Sequence, residues 1–574
     1  MNDTTETTTN DIAIKEEQDT IENNNSSDKH DTSKQYSKNN NNLLLDSIIA
    51  SFTKEPTNNT NQMKILLEIL GPAYAAPKCP MALFYVETIG IIILSAIIAL
   101  LSLAYKNLIM LVADRWMTND INNLSVFFGG EPYYIAIGVG TGIVVGVLKA
   151  YVFRFDGYTG FIEIIKELDA DFKEAVSIII VGYVSLVGGA CIGPESGLAG
   201  IGAALGKLAI SPINNVCIRL GKVKTTQESD EEESADDDEA LHRRRKLIML
   251  SSLVAAFGTM LPTPATSIMF CVELMGAALF VSHGFVAYTG MIVQLGLAGS
   301  TANLVFTSVA EYTLIHDDGI FPGYLLETQV WKNNAVALLF GICTPVCLVI
   351  PYFILAGITK LSVKKLKFYI ESKLGKELRM VIMTTIGGAI YGLIGWILPL
   401  TVGDGGYQMQ QVIKNGNKIP VSVLVLSSYA KMLCYWVSND TGFVGGIFHP
   451  LLMISLLFGQ MIIQVTNVSE ILGVAVSFIL LAAAFTPLPF SMFLLDIALF
   501  NLKAYDQVAI FLAIIIAHLF TTGLGIPQAF FSIMTRGKDS SEENDNVSSI
   551  KDDCKENRVS EEEEEEDWKE EDVP

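Results

Sequence analysis

Apolar runs recur along the chain from residue 82 onward, at roughly 83–112, 133–153, 246–282, 284–307, 334–358, 380–400, 421–438, 450–465 and 471–522. Each is long enough to cross about 30 Å of hydrocarbon, and the longest must cross more than once. The pattern predicts an all-α, many-span membrane protein. Several runs are interrupted by Gly or Pro near their middles: G-G-A-C-I-G-P-E-S-G at 188–197, L-P-T-P at 261–264, G-F-V-G-G-I-F-H-P at 442–450 and T-P-L-P at 486–489. Backbone broken at membrane depth exposes N–H and C=O groups that only protein or a watery cavity can satisfy. The breaks are therefore where a transport pathway is expected.

The breaks come in pairs. Ala255-Ala256-Phe257 leads to Pro262-Thr263-Pro264 and then to the acid Glu273; Ala483-Ala484-Phe485 leads to Pro487-Leu488-Pro489 and then to the acid Asp496. The G-P-E break precedes the first copy and the I-F-H-P break precedes the second, so both halves carry their features in one order. This is the mark of an internal duplication, and repeated interrupted helices point to a substrate site at the repeat interface near the midplane.

Composition agrees with a lipid environment. Of 574 residues, 50% are hydrophobic and 17% charged, with mean hydropathy +0.41, too apolar for a soluble protein of this size. The net charge of -22 misleads until it is located. Residues 1–62 hold 11 acids against 5 bases, residues 228–239 hold 9 acids and no base, and residues 537–574 hold 17 acids against 5 bases. The remainder is mildly positive. Three parts are expected: a disordered polar tail (1–62), a transport region (82–536) with halves at about 82–358 and 380–536 and an acidic loop at 225–242, and a disordered acidic tail (537–574). The bases Arg243-Arg244-Arg245-Lys246 and those from Lys360 to Arg379 are read as loops between spans, the latter cytoplasmic by the positive-inside rule. The eight cysteines lack paired C-x-x-C spacing, so neither a disulfide framework nor a zinc site is indicated. The first 40 residues are polar, so no signal peptide is expected and the first apolar stretch directs the chain to the membrane.

A broken helix suits an anion. Its N-terminus offers free N–H groups and a positive dipole end, which hold a small anion weakly enough for release. Pro194-Glu195-Ser196 and Ile447-Phe448-His449-Pro450 both follow glycines and open apolar stretches, so each is a candidate cradle. An acid at such a start is costly in the membrane. Glu195 either caps its helix or stands in the anion's place as a carboxylate and vacates it on protonation. His449 occupies a variable slot beside the second cradle, where it could tune a pH response. His283 and His518 read as core histidines, and Asp496 as a residue hydrogen-bonded to a neighbouring helix.

These local patterns resemble the CLC family of chloride channels and chloride/proton antiporters. The family's G-[K/R]-E-G-P and I-G-x-x-[I/L]-G stretches are similar to Gly193-Pro194-Glu195-Ser196-Gly197 and Ile201-Gly202-Ala203-Ala204-Leu205-Gly206. Its G-x-F-x-P segment is similar to Gly446-Ile447-Phe448-His449-Pro450, and its G-S-G-I-P-E segment to an altered Gly157-Tyr158-Thr159-Gly160-Phe161-Ile162-Glu163. The resemblance runs in order from about residue 133 to 536. It implies two inverted-topology repeats with discontinuous helices, in a multi-pass protein of the cell membrane. It implies a gating role for Glu195 and anion binding by the backbone of Gly446, Ile447 and Phe448, with the family's central serine falling on Thr159. The family's central tyrosine falls close to Phe530, which has no hydroxyl. Aligning F-C-V-E-L-M puts Glu273 on the first of two acids used by antiporters and Leu274 on the second. Leucine cannot relay a proton, so the resemblance implies a passive, voltage-gated channel ahead of an antiporter. The expected partners are chloride or a similar anion, the bilayer and a second copy of the chain, without nucleic acid. No cofactor, metal or covalent catalysis is expected. Only an acidic tail follows Arg536, so the family's paired CBS domains and their nucleotide regulation are not expected here.

Two other classes remain as alternatives. Gly403-Asp404-Gly405-Gly406 with Asp496 suggests an intramembrane aspartyl protease, but such enzymes need G-x-G-D and this chain has G-D-G-G. An organic-solute transporter with inverted repeats would line a larger pocket with polar and aromatic side chains, whereas the breaks here offer mostly backbone.

Overall fold

The computed structural model describes residues 81–117, 120–155, 171–222, 233–261, 263–275, 277–310, 312, 334–466, 470–486, 488–500 and 504–526. The chain divides into the units Met1–Gly71 and Pro72–Pro574, and every described residue belongs to the second. The tails at 1–62 and 537–574 lie outside the described residues.

Helices account for the regular structure, and the described residues contain no strand beyond one isolated bridge. In chain order the main helices are α1 (Met81–Ala113), α2 (Tyr133–Val147), α3 (Phe172–Val187), α4 (Glu195–Lys222), α5 (Glu233–Gly258), α6 (Pro264–Met275), α7 (Ala277–Ala310), α8 (Asn334–Thr344), α9 (Ile350–Leu374), α10 (Lys376–Ile397), α11 (Gly406–Asn415), α12 (Val421–Thr441), α13 (Phe448–Thr466), α14 (Glu470–Phe485), α15 (Pro489–Phe500) and α16 (Ala504–Gly523). Among the described residues, eight helical segments are long and apolar enough to cross a membrane, and three shorter apolar helices lie near the C-terminal end. The run at 471–522 resolves into α14, α15 and α16, and the run at 246–282 into the end of α5, all of α6 and the start of α7. Proline breaks each: Pro264 and Pro489 stand at the first turns of α6 and α15, where the missing N–H costs nothing.

The duplication appears as matched helices in one order. α3 to α7 and α12 to α16 each run as long helix, glycine break, long helix, helix, proline break, twelve-residue helix and long helix. α2 and α10, the helices preceding these two series, cross through glycine. Of the α2 glycines spaced by four, Gly138 meets Gly388 of α10, Gly142 meets Thr384 and Gly146 meets Val381 and Thr384, and a Cβ on Gly138 would overlap the Gly388 carbonyl. Thr384 Oγ1 donates to the Gly142 carbonyl at 2.6 Å across the seam. Small residues at this spacing let helix backbones approach in lipid, where packing and not the hydrophobic effect holds helices together.

Two expectations about loops are corrected. Lys360, Lys364, Lys365, Lys367 and Lys373 lie within α9 and Arg379 within α10, with only Gly375 between the helices, at φ +82°. Arg243 to Lys246 lie within α5, which begins at Glu233, inside the acidic segment expected to be a loop. Lysine and arginine are good helix formers whose stems pack while the charge reaches water, so a basic run at a membrane edge need not interrupt a helix.

Candidate functional site

The two glycine breaks meet and satisfy each other. Gly193 N–H donates to the Gly446 carbonyl at 2.8 Å, and Gly446 N–H donates back to the Gly193 carbonyl at 2.7 Å. Cys191 N–H donates to Ser438 Oγ at 3.3 Å, and Val444 N–H to Ser185 Oγ at 3.5 Å. One step along the chain carries Ser185 to Ser438, Cys191 to Val444, Gly193 to Gly446 and Glu195 to Phe448. The bonds are thus reciprocal about a local two-fold relation between the halves. Each half supplies the groups that the other half's interruption leaves open, which broken backbone in a membrane requires.

Buried lysines complete this satisfaction. Lys149, in the π-helical segment Leu148–Phe153 after α2, donates to the Gly442 carbonyl at 2.9 Å. Lys431 of α12, wholly buried, donates to the carbonyls of Gly403 at 3.0 Å and Thr401 at 3.3 Å. These side chains were not singled out from the sequence. A lysine inside an apolar run was the available signal, since such a residue is rare without a role.

Glu195 opens α4 and is fully buried. Its carboxylate does not cap α4. It reaches the start of α13, where Oε1 accepts from the backbone N–H of His449 at 2.9 Å and lies 2.6 Å from His449 Nδ1. Among the described residues Oε2 has no hydrogen-bond partner. Glycine makes room for this placement: a Cβ on either Gly193 or Gly446 would overlap the carboxylate. Ile447 immediately precedes α13 and Phe448 opens its first turn, whose N–H groups the helix's own ladder does not use. A carboxylate there is an anion on a helix N-terminus. The Phe448 ring packs on Phe270 at 5.1 Å and Phe270 on Phe257 at 5.0 Å, joining the cradle to the proline break of the first half.

The remaining predicted residues distribute as follows. Thr159 and Phe530 lie outside the described residues. Leu274 is in α6, with its side chain outside the described set. Glu273, beside it, caps the start of α15: its two oxygens accept from Phe490 N–H at 3.0 Å, Ser491 N–H at 2.8 Å and the Ser491 hydroxyl. Removing such a cap costs about 0.5–2 kcal/mol. Glu273→Ala is expected to lower the thermal unfolding midpoint of purified protein while leaving the pH dependence of anion flux intact. A changed pH profile at unchanged stability would assign Glu273 to proton handling instead.

Asp496 is fully buried, and among the described residues neither carboxyl oxygen has a hydrogen-bond partner, so the expected bond to a neighbouring helix is not seen there. His518 Nδ1 lies 3.2 Å from the Ala483 carbonyl, in keeping with a core histidine. The His283 side chain lies outside the described set. Asp404 turns its own loop, accepting from Gly406 N–H at 2.9 Å. Among the described residues no group of three or more His, Cys, Asp or Glu side chains could hold a metal ion.

Comparison with known proteins agrees with this architecture. The family described as voltage gated chloride channel matches residues 141–522. A slow cyanobacterial Cl-/H+ antiporter superimposes with a TM-score of 0.57 at 14% identity, covering 79% of this chain and 97% of that one. A CLC-type fluoride/proton antiporter gives 0.50 at 13% identity over 77% and 95% of the two chains. A eukaryotic CLC transporter gives 0.51 at 13% identity over 78% and 73%. At these identities the likeness speaks for the fold. No curated protein matches the sequence. The family match spans well over half of the chain, and with the many-span fold built on two interrupted repeats it is conclusive: the chain belongs to the voltage-gated chloride channel family, as an integral membrane protein of anion transport and not an enzyme.

Proposed function

We propose that this protein is a glutamate-gated passive pathway for chloride or a similar small anion, in which the Glu195 carboxylate occupies the anion's own site and leaves it on protonation. One observation carries the reading: Glu195 Oε1 accepts the backbone N–H of His449 at the N-terminus of α13, where a permeating anion would be held. A carboxylate and a chloride compete for the same donors, so a charged Glu195 closes the path and a neutral one yields it. Ile447, Phe448 and Gly446 supply the backbone of the site. Thr159 and the region of Phe530 are assigned to the anion path from resemblance.

A passive channel is favoured over exchange because the second acid position of F-C-V-E-L-M is Leu274 and because Glu273 is engaged as the cap of α15. The second reading, anion/proton exchange, draws support from the antiporters among the structural neighbours. A homodimer with one pathway per subunit is the assembly proposed, and chloride the default anion.

Liposomes loaded with chloride and carrying the purified protein test these points together. A potassium ionophore should release chloride, with no accompanying proton movement at a pH electrode. Proton uptake driven by a chloride gradient would establish exchange, and no anion flux would end the reading. In the same assay Glu195→Gln should raise flux at neutral pH about tenfold, the value of one charge-assisted hydrogen bond, and abolish its pH dependence.

A further inference from the structure

We propose that His449 is the proton partner of the gate, the residue that sets the pH at which Glu195 leaves the anion site. The inference rests on the gating reading of Glu195 and adds to it a second titratable group in direct contact with the first.

The geometry is specific. A single residue holds Glu195 Oε1 twice, through the backbone N–H of His449 at 2.9 Å and through its ring at 2.6 Å from Nδ1. Both side chains are buried, Glu195 at 0% and His449 at 1% exposure. Two lone pairs at that separation repel, so a proton lies between the atoms whenever the pair is formed. It sits on Nδ1 as a donor to the carboxylate, or on Oε1 as a donor to a neutral imidazole. Passing it from an imidazolium Nδ1 to Oε1 leaves a neutral ring and a neutral carboxylic acid. The O–H formed takes that proton, no bond between heavy atoms changes, and the pair's net charge stays at zero. The neutral acid no longer competes with an anion for the first-turn N–H groups of α13. His449 thus stabilises the closed gate while its Nδ1 proton is a donor to the carboxylate, and the gate opens once a proton rests on Oε1.

Lys106 of α1 and Asp404 of the Gly403–Gly406 turn lie within electrostatic reach of the ring, and Glu195 of α4 is in contact with it. Lys431 of α12 is held at the same turn by the Gly403 and Thr401 carbonyls. The contact joins residues from opposite halves of the duplication. Phe448, the residue before His449, is the counterpart of Glu195, so the gate and its partner stand in adjacent registers of the same local two-fold relation.

Chloride efflux from liposomes, measured against pH for parent, Glu195→Gln, His449→Ala and His449→Asn, decides the matter. Losing the donor makes the carboxylate easier to protonate in its site. His449→Ala should therefore raise flux at neutral pH and move the half-activation pH upward by about one unit or more. His449→Asn, whose amide reaches toward the Nδ1 position without titrating, should fall between parent and alanine, and serves if the alanine variant does not fold. Glu195→Gln with His449→Ala should be as flat as Glu195→Gln alone. If Glu195→Gln is flat and both His449 variants keep the parent midpoint, the inference on His449 fails while the gate stands. A Glu195→Gln protein that titrates like the parent removes the gate itself. A further pH shift in the double variant would show that His449 acts elsewhere.

Discussion

Gly446→Ala is expected to remove the pH dependence of anion flux without raising the flux, because its methyl displaces the Glu195 carboxylate and itself fills part of the site that the anion would take. The reasoning is steric. Gly446 exchanges two backbone hydrogen bonds with Gly193, which fixes its position between the halves. A methyl group built there overlaps the Glu195 carboxylate and approaches the Glu195 Cβ at 2.7 Å. The far end of a side chain moves more cheaply than a bridge made of two backbone hydrogen bonds, so the carboxylate is displaced. Losing its charge-assisted bond to the α13 N-terminus shifts occupancy by about tenfold or more. Efflux should lose its pH dependence while staying below that of Glu195→Gln, and adding Gly446→Ala to Glu195→Gln should lower the flux of the latter. A Gly446→Ala protein with the parent's pH profile would show that the carboxylate does not sit where the glycine makes room for it.

The parts of this site legible in the sequence were those encoded locally. Glu195 announced itself as an acid between glycines at the start of an apolar run, and Gly446 to Phe448 as a glycine break opening another. The order of breaks disclosed the duplication before any coordinates did. The contact between Glu195 and His449 was invisible for a physical reason: it joins segments from opposite halves, and which side chain of the second cradle meets the first acid depends on how the breaks interlock. His449 looked like an occupant of a variable slot. The reciprocal bonds of Ser185 and Ser438 were hidden in the same way, as was the use of Lys149 and Lys431 to satisfy carbonyls of broken backbone. The basic runs failed differently. Charge density reads as a loop, although a helix that leaves the membrane carries lysines without strain, and the structure continues α9 through them to Gly375. The acidic segment shows the same error from the other sign, since Glu233 to Glu239 open α5, where acids favour a helix N-terminus.

Gly388→Leu is expected to abolish recovery of folded protein, because the crossing of α2 and α10 has no space for a side chain. Gly388 meets the carbonyl of Gly138, and its neighbours in the stripe are equally tight: a Cβ on Gly142 would strike the Thr384 backbone, and one on Gly392 the carbonyl of Tyr134 at 2.6 Å. The obstructing atoms are backbone in each case and cannot rotate away. Accommodating a leucine requires the helices to separate, which breaks the Thr384 to Gly142 hydrogen bond and leaves the other glycines facing a gap. Overpacking in rigid cores costs about 1–3 kcal/mol, and a seam that must part along its length should exceed that range. The effect should reach the gate. α10 also carries Tyr391, whose hydroxyl donates to the Gly188 carbonyl at 3.0 Å in the first glycine break. Size-exclusion chromatography of detergent-solubilised protein should show Gly388→Leu as aggregate, and Gly388→Ala as a monodisperse peak of lowered thermal midpoint. Gly140→Leu, on the partner helix α2 with open space where its Cβ would stand, serves as the control and should elute like the parent. A monodisperse, transport-competent Gly388→Leu would mean that the two helices do not meet at these glycines, and the backbone framework that brings Gly193 to Gly446 would have to be held by other contacts.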